Sequence, residues 1–315
     1  MTAKLLLTIL VFGALAVQAA GKDLKVLMIG NSFSACLFKY FPVVVNSVPG
    51  HSLELTSAHI PGCSLEQHSR NLKEGETNSE KKPYYCYVWY SSPKKKTQKA
   101  RGTLNELLKN NQYDIITIQQ ASPLSWDYST FQPFAEEVTA YVRKHQPKAE
   151  IVVQQTWSYR CDHPNLKPNP KAKWDFDQTG MYERIRDAYA KLAQTGKFRV
   201  IPTGDAVQLF RKYTPVKFQP ETRKLEYPAL PSYAGEVVGS GSWKKNAKTG
   251  KMKLYVDRFH LNPDGQYLQA CLWFAVLYGE PVSKIKFVPE GMKPELKDLL
   301  RKCAQEALDN YVQTK

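Results

Sequence analysis

Two short stretches at opposite ends of the chain hold the residue types that acyl transfer through a serine requires. The first is Gly30-Asn31-Ser32-Phe33-Ser34, directly after the apolar run Val26-Leu27-Met28-Ile29. That run reads as a buried strand. Gly30 can turn the backbone at no steric cost, and ligands bind at the carboxyl ends of strands in open parallel α/β sheets. A serine at such a point either presents a nucleophile or caps the helix that follows. The second stretch is Val256-Asp257-Arg258-Phe259-His260-Leu261-Asn262. An Asp three residues before a His on a loop can accept the Nδ1 proton of the imidazole and leave Nε2 to take a proton from a serine. The same pair also suits a helix entrance, with His260 as a packing or capping residue and Asp257 as a surface carboxylate. Both are metal-ligand types too. The other candidate ligands, His59, His68 and Asp162-His163, are scattered, so neither a metal nor another cofactor is expected.

A scaffold that brings residue 32 to residue 260 is legible between them. Further strands are expected at Ser52–Ala58, Asp114–Gln119, Ala149–Gln155 and Phe198–Pro202. Helices are expected at Gly102–Asn110, Pro133–Lys144, Met181–Ala193, Asp205–Tyr213, Pro263–Tyr278 and Pro294–Tyr311, with Gly196 closing the third of these. Alternating strands and helices give a parallel sheet covered on both faces. The expected fold is a three-layer α/β/α sandwich with about five parallel strands in flavodoxin-like order. Residues 66–102, with the aromatic run Tyr84–Tyr90, and residues 214–256, with a hairpin signal at Asn246–Gly250, read as excursions on one rim of a single domain over 21–315. Residues 158–178 are rich in Pro and Asp and read as a loop.

The 315-residue chain is 43% hydrophobic and 12% aromatic, which places it among globular proteins. Met1–Ala20 combines Lys4, an apolar stretch from Leu5 to Val17, and small residues at Ala19 and Ala20. This is the pattern of a secretory signal peptide, and the apolar run is short for a membrane span. An exported protein without stable membrane insertion is expected, periplasmic or extracellular once the leader is removed. Six cysteines in such a chain permit disulfides without showing their pairing. The formal charge is +15. Nucleic acid is not an expected partner, since no nucleic-acid motif is present. Acidic polymers such as uronate-rich polysaccharides would be drawn to such a surface.

Gly30-Asn31-Ser32-Phe33-Ser34 resembles the first block of the SGNH (GDSL-type) hydrolase superfamily, with Asn31 where Asp is usual. Asp257-x-x-His260, late in the chain and before a helix, resembles its last block. The chain is similar, more closely still, to a family of uncharacterised exported bacterial proteins with SGNH-like blocks. The stretches that carry this likeness are Gly62-Cys63-Ser64-Leu65, Asp114–Gln120, Gln155-Thr156-Trp157, Met181-Tyr182-Glu183-Arg184, Ile201–Asp205 and His260–Gly279. The resemblance implies Ser32 as nucleophile, His260 as general base and then acid, and Asp257 as the group that orients it. It implies an oxyanion hole from the backbone N–H groups of Ser32 and Gly62, with Asn31 beside them. The superfamily's third donor is an Asn side chain after the third strand; here the chain reads Ile118-Gln119-Gln120, so Gln120, or Gln119 if the strand has the other phase, stands in that place. Trp157 and Arg258 fall on the same rim, where they could grip a sugar ring or an anionic group, or instead pack and be solvated. The implied activity is an esterase acting on acylated, most plausibly acetylated, carbohydrates or polysaccharides, acidic ones among them. The alternative is a weakened, carbohydrate-binding protein on the same scaffold.

Overall fold

The computed structural model describes residues 21–78, 80–90 and 95–313; the stretch Met1–Ala20, expected to be a leader, lies outside the described residues. In chain order the first half comprises β1 (Asp23–Gly30), α1 (Ser32–Ala35), α2 (Phe41–Asn46), β2 (Ser52–His59), α3 (Leu65–Thr77), β3 (Tyr84–Tyr90), β4 (Lys95–Gly102), α4 (Leu104–Asn110) and β5 (Ile115–Ile118). The second half comprises α5 (Phe134–His145), β6 (Glu150–Gln154), α6 (Gln178–Gly196), β7 (Arg199–Ile201), α7 (Thr203–Tyr213), β8 (Val238–Lys245), β9 (Met252–Leu261), α8 (Pro263–Tyr278) and α9 (Pro294–Gln313).

Seven strands form one sheet in the order β4-β3-β2-β1-β5-β6-β7. The five from β2 to β7 are parallel and run in the flavodoxin-like order that the sequence suggests. β1 is the middle strand of the seven. From Val26 to Gly30 each residue is buried, because both faces of a parallel strand are covered by helices. α2, α7 and α9 gather around α8, while α3, α4 and α5 pack on one another, and α6 lies beside β7 and α7. Every residue of α8 from Tyr267 to Tyr278 is buried, so beyond its first turn this mostly apolar helix has no solvent face.

The excursions hold the β structure that the aromatic run and the hairpin signal suggest, and more besides. Residues 65–77 form a helix, α3, which is started by Ser64: its hydroxyl accepts the Gln67 N–H. β3 and β4 pair antiparallel and extend the main sheet beyond β2, to which β3 pairs antiparallel. The second excursion supplies β8 and β9, a separate two-stranded antiparallel sheet. β9 runs on to Leu261, so Asp257 and His260 stand in a strand and not on a loop. Lys197, in the left-handed region at φ 55, closes α6 in place of Gly196. All six cysteines are free thiols. Burial pushes those of Cys36, Cys63, Cys271 and Cys303 up to about 12, so none of these four is a thiolate near neutral pH. No helix among the described residues is long and apolar enough to cross a membrane.

Candidate active site

The site begins where β1 stops. A Cβ on Gly30 would stand 2.5 Å from Ser34 Oγ, which is itself held by a hydrogen bond to the Asn31 carbonyl. Glycine therefore lets the turn from strand to α1 close tightly. Asn31 is extended at φ −135, and its Oδ1 accepts the Phe33 N–H at 3.0 Å, capping that turn. The same oxygen accepts Gln119 Nε2 at 2.7 Å, and Asn31 Nδ2 donates to the Cys63 carbonyl at 3.0 Å. One buried amide thus ties the loops after β1, β2 and β5 together. After β2, Ile60-Pro61-Gly62-Cys63 closes with a Cys63 N–H to Ile60 O bond of 3.2 Å, and Gly62 has φ +65. Pro followed by a positive-φ glycine is the signature of a type II turn. Among the described residues, neither the Ser32 N–H nor the Gly62 N–H has a protein acceptor.

β9 brings the other half. His260 Nε2 lies 2.8 Å from Ser32 Oγ, and His260 Nδ1 lies 2.6 Å from Asp257 Oδ2. With Nδ1 donating to the carboxylate, Nε2 is left to accept the serine proton. Asp257 Oδ1 accepts the backbone N–H groups of Phe259 and His260 at 2.8 and 2.9 Å. Burial would raise the Asp257 carboxyl, but the bonds from the His260 ring and the two N–H groups outweigh it and hold the pKa at about 2. Asp257 is thus a fixed anion against the imidazole. The His260 ring lies against Phe259 (centroids 4.2 Å apart) and Phe33 (5.6 Å), which leaves it little freedom to swing.

The segment before α6 clamps this strand. Trp157 Nε1 donates to the Phe259 carbonyl at 2.7 Å, and the Arg160 N–H donates to the Arg258 carbonyl at 2.8 Å. The start of β8 is anchored by Glu236, whose carboxylate pairs with Arg211 and accepts the N–H groups of Val237 and Val238. On the nucleophile side, Gln154 and Gln269 both donate to the Phe33 carbonyl at 3.1 Å.

The structure gathers Ser32, Asp257 and His260 into one hydrogen-bonded chain and sets Gly62 in the turn after the neighbouring strand. It corrects or decides the remaining expectations. Gln120 is fully buried: its Oε1 accepts from Leu65 N and Ala121 N, and its Nε2 donates to Thr130. It joins α3 to the loop before α5 and offers nothing to a substrate. Gln119 has the phase that faces the serine loop, but its Nε2 is engaged by Asn31. Asn31 is 2% exposed and positions loops rather than meeting a ligand. Trp157 is wholly buried and stacks on Phe33 at 4.1 Å, so it is a floor beneath the site and not a sugar platform. Arg258 is ion-paired with Asp162 at 3.0 Å, on the side of β9 away from Asp257. Among the candidate metal ligands, Asp162 is held by Arg160 and Arg258, and His68 is buried against Tyr84. Sequence reasoning missed the Phe33–His260–Phe259 bracket and the Glu236–Arg211 anchor. The first was open to view, since both phenylalanines adjoin the chemistry-bearing residues; the second joins residues 25 positions apart with no local sign.

No curated protein matches this chain. Among solved structures it is similar to a DUF4886 family protein from Bacteroides uniformis, with 27% identity over 91% of this chain and 95% of the other, at a TM-score of 0.71. A candidate SGNH hydrolase from Slackia heliotrinireducens matches at 16% identity over 79% and 96% of the two chains, with a TM-score of 0.43. A candidate GDSL-like lipase from Parabacteroides merdae matches at 12% over 83% and 98%, with a TM-score of 0.47. The family model described as a domain of unknown function, DUF4886, matches residues 25–225, which include the serine loop, the turn at Gly62 and, but for the first two residues of β1, the seven strands of the main sheet. The chain belongs to the DUF4886 family.

Proposed function

We propose that the protein is a serine esterase. The observation that carries this reading is the Ser32–His260–Asp257 chain, with links of 2.8 and 2.6 Å. Ser32 Oγ attacks the ester carbonyl while His260 Nε2 takes its proton, and Asp257 holds the resulting imidazolium in place. The oxyanion is met by the N–H groups of Ser32 and Gly62. The alcohol leaves with the proton from His260, and water, deprotonated by the same nitrogen, releases the acid. The resemblance to SGNH hydrolases supports acylated carbohydrates, acetyl esters foremost, as the substrate class. The leader-like Met1–Ala20 stretch supports action outside the cytoplasm.

The third donor of the superfamily has no counterpart here, since Gln119 and Gln120 are both engaged. Loss of one such donor lowers turnover by about 10²–10³, which favours a slow esterase over a fast one. Hydrolysis of p-nitrophenyl acetate tests the reading. Ser32→Ala should abolish it, and Asp257→Asn should lower kcat by about 10³–10⁴. Equal product release by the wild type and Ser32→Ala would remove the esterase reading.

A further inference from the structure

We propose that the outward face of the β8–β9 hairpin is a docking surface for an acidic polysaccharide, with uronate carboxylates on Lys244 and Lys253 and a sugar ring on Tyr255. The proposal rests on the esterase reading and names its substrate class. In the hairpin's register Asp257 lies opposite Ser240, Tyr255 opposite Ser242 and Lys253 opposite Lys244. Side chains alternate along a strand. The face that carries Asp257 toward His260 therefore continues outward through Tyr255 to Lys253, with Ser240, Ser242 and Lys244 beside them. At about 3.3 Å per residue, Tyr255 and Lys253 lie roughly 7 and 13 Å along the strand from Asp257. The opposite face is half-buried: Gly241, Trp243, Leu254 and Val256 lie there, and Trp243 Nε1 donates to the Ala229 carbonyl.

This face is built against its own stability. Lys244 and Lys253 are directly opposed, and like charges in that position repel. Both ammonium groups lie over the Tyr255 ring, at 5.0 and 5.5 Å from its centroid, which offsets part of the repulsion and gathers two cations at one ring. Tyr255 is nevertheless 45% exposed. Residues 237–256 contain five lysines and no Asp or Glu, and among the described residues none of these lysines pairs with a carboxylate. An anion from outside completes such a surface. The anion must also carry acyl esters if it is to lead to Ser32, which an esterified uronate glycan does and a nucleic acid does not. A lipid surface fits less well, because this face presents serines, lysines and one tyrosine and no aliphatic side chain.

Binding of unesterified polygalacturonate to the full chain carrying Ser32→Ala, measured by calorimetry at low salt, tests the docking face apart from the chemistry. The double variant Lys244→Gln/Lys253→Gln should weaken binding about tenfold or more, Tyr255→Ala should weaken it as well, and raised salt should do the same to the parent. The control Lys144→Gln/Lys293→Gln, which removes two exposed charges elsewhere, should leave affinity within about twofold. Equal weakening by the control pair would overturn the proposal in favour of diffuse charge. So would unchanged affinity in the hairpin variant, or capture of phosphatidylglycerol vesicles or single-stranded DNA but not polygalacturonate. Binding by a protein that hydrolyses no ester would uphold the docking face and overturn the esterase reading. Hydrolysis of p-nitrophenyl acetate by a wild type that does not bind the polymer would overturn the docking face alone.

Discussion

Asn31→Asp would keep the size of the side chain and its acceptor oxygen, but turn the Nδ2 donor into a second oxygen facing the Cys63 carbonyl. The family resemblance makes Asp the usual residue, whereas the hydrogen bonds here argue that Asp fits worse. Leaving a buried acceptor facing another acceptor costs about 1–3 kcal/mol. The variant should lose about that much in urea unfolding and lose kcat as the turn at Gly62 is released; a variant as stable and active as the parent would show that the amide does not hold the loops. Ser32, Asp257 and His260 were legible as residues because their chemistry is local to two short stretches. The roles of Gln119 and Gln120 were not, because they depend on the phase of β5, and an uninterrupted run of buried residues carries no alternation from which to read phase. Trp157 and Arg258 were left between two readings for a related reason: their direction is set by Phe33 and Asp162, distant partners that spacing does not reveal.

At the scale of elements, the apolar runs of β1, β5, β6 and α8 and the hairpin signal at Asn246–Gly250 were readable because each carries its own hydrophobic or turn pattern. α3 was hidden because Leu65 and Leu72 are its only buried apolar residues, and Ser64 with Gln67 was the one local sign of its start. The extension of β9 through Asp257–His260 was hidden because only pairing with β8, whose N-terminal end is fixed by Glu236, makes it a strand. Glu236 is 4% exposed and its carboxylate depends on Arg211. Arg211→Met should therefore lower the free energy of unfolding by about 3–5 kcal/mol, since it leaves a buried charge unpaired. The double variant Arg211→Met/Glu236→Gln should regain part of that loss. Chemical denaturation checks both, and additive losses in the two single variants would dissolve the pair.

For the molecule as a whole, acid should act through three groups in two successive windows. His68 is wholly buried on Tyr84; burial, with a smaller effect from His59, pushes its pKa down to about 3. The unfolded chain, with histidine at about 6.5, then binds more protons, so stability falls as pH falls from about 6.5 toward 3. His163, lowered by burial and by Arg258 to about 4, acts in the same sense. Asp257 follows: its contribution is present above about pH 4 and is lost as pH falls through its folded value of about 2. The urea midpoint should decline between pH 6.5 and 4.5 in the wild type and less steeply in His68→Gln; superimposable profiles would show that His68 is not held neutral. The sequence distance between nucleophile and base carries a last consequence. Ser32 and His260 are 228 residues apart. At roughly 5–20 residues per second, translation delivers the histidine about 10–45 s after the serine. Under the proposed esterase reading, hydrolysis then reports synthesis past His260: a chain stopped before that residue has its serine loop and most of its sheet yet lacks the base, so activity per mole of Ser32 measures the fraction of chains that reach the histidine.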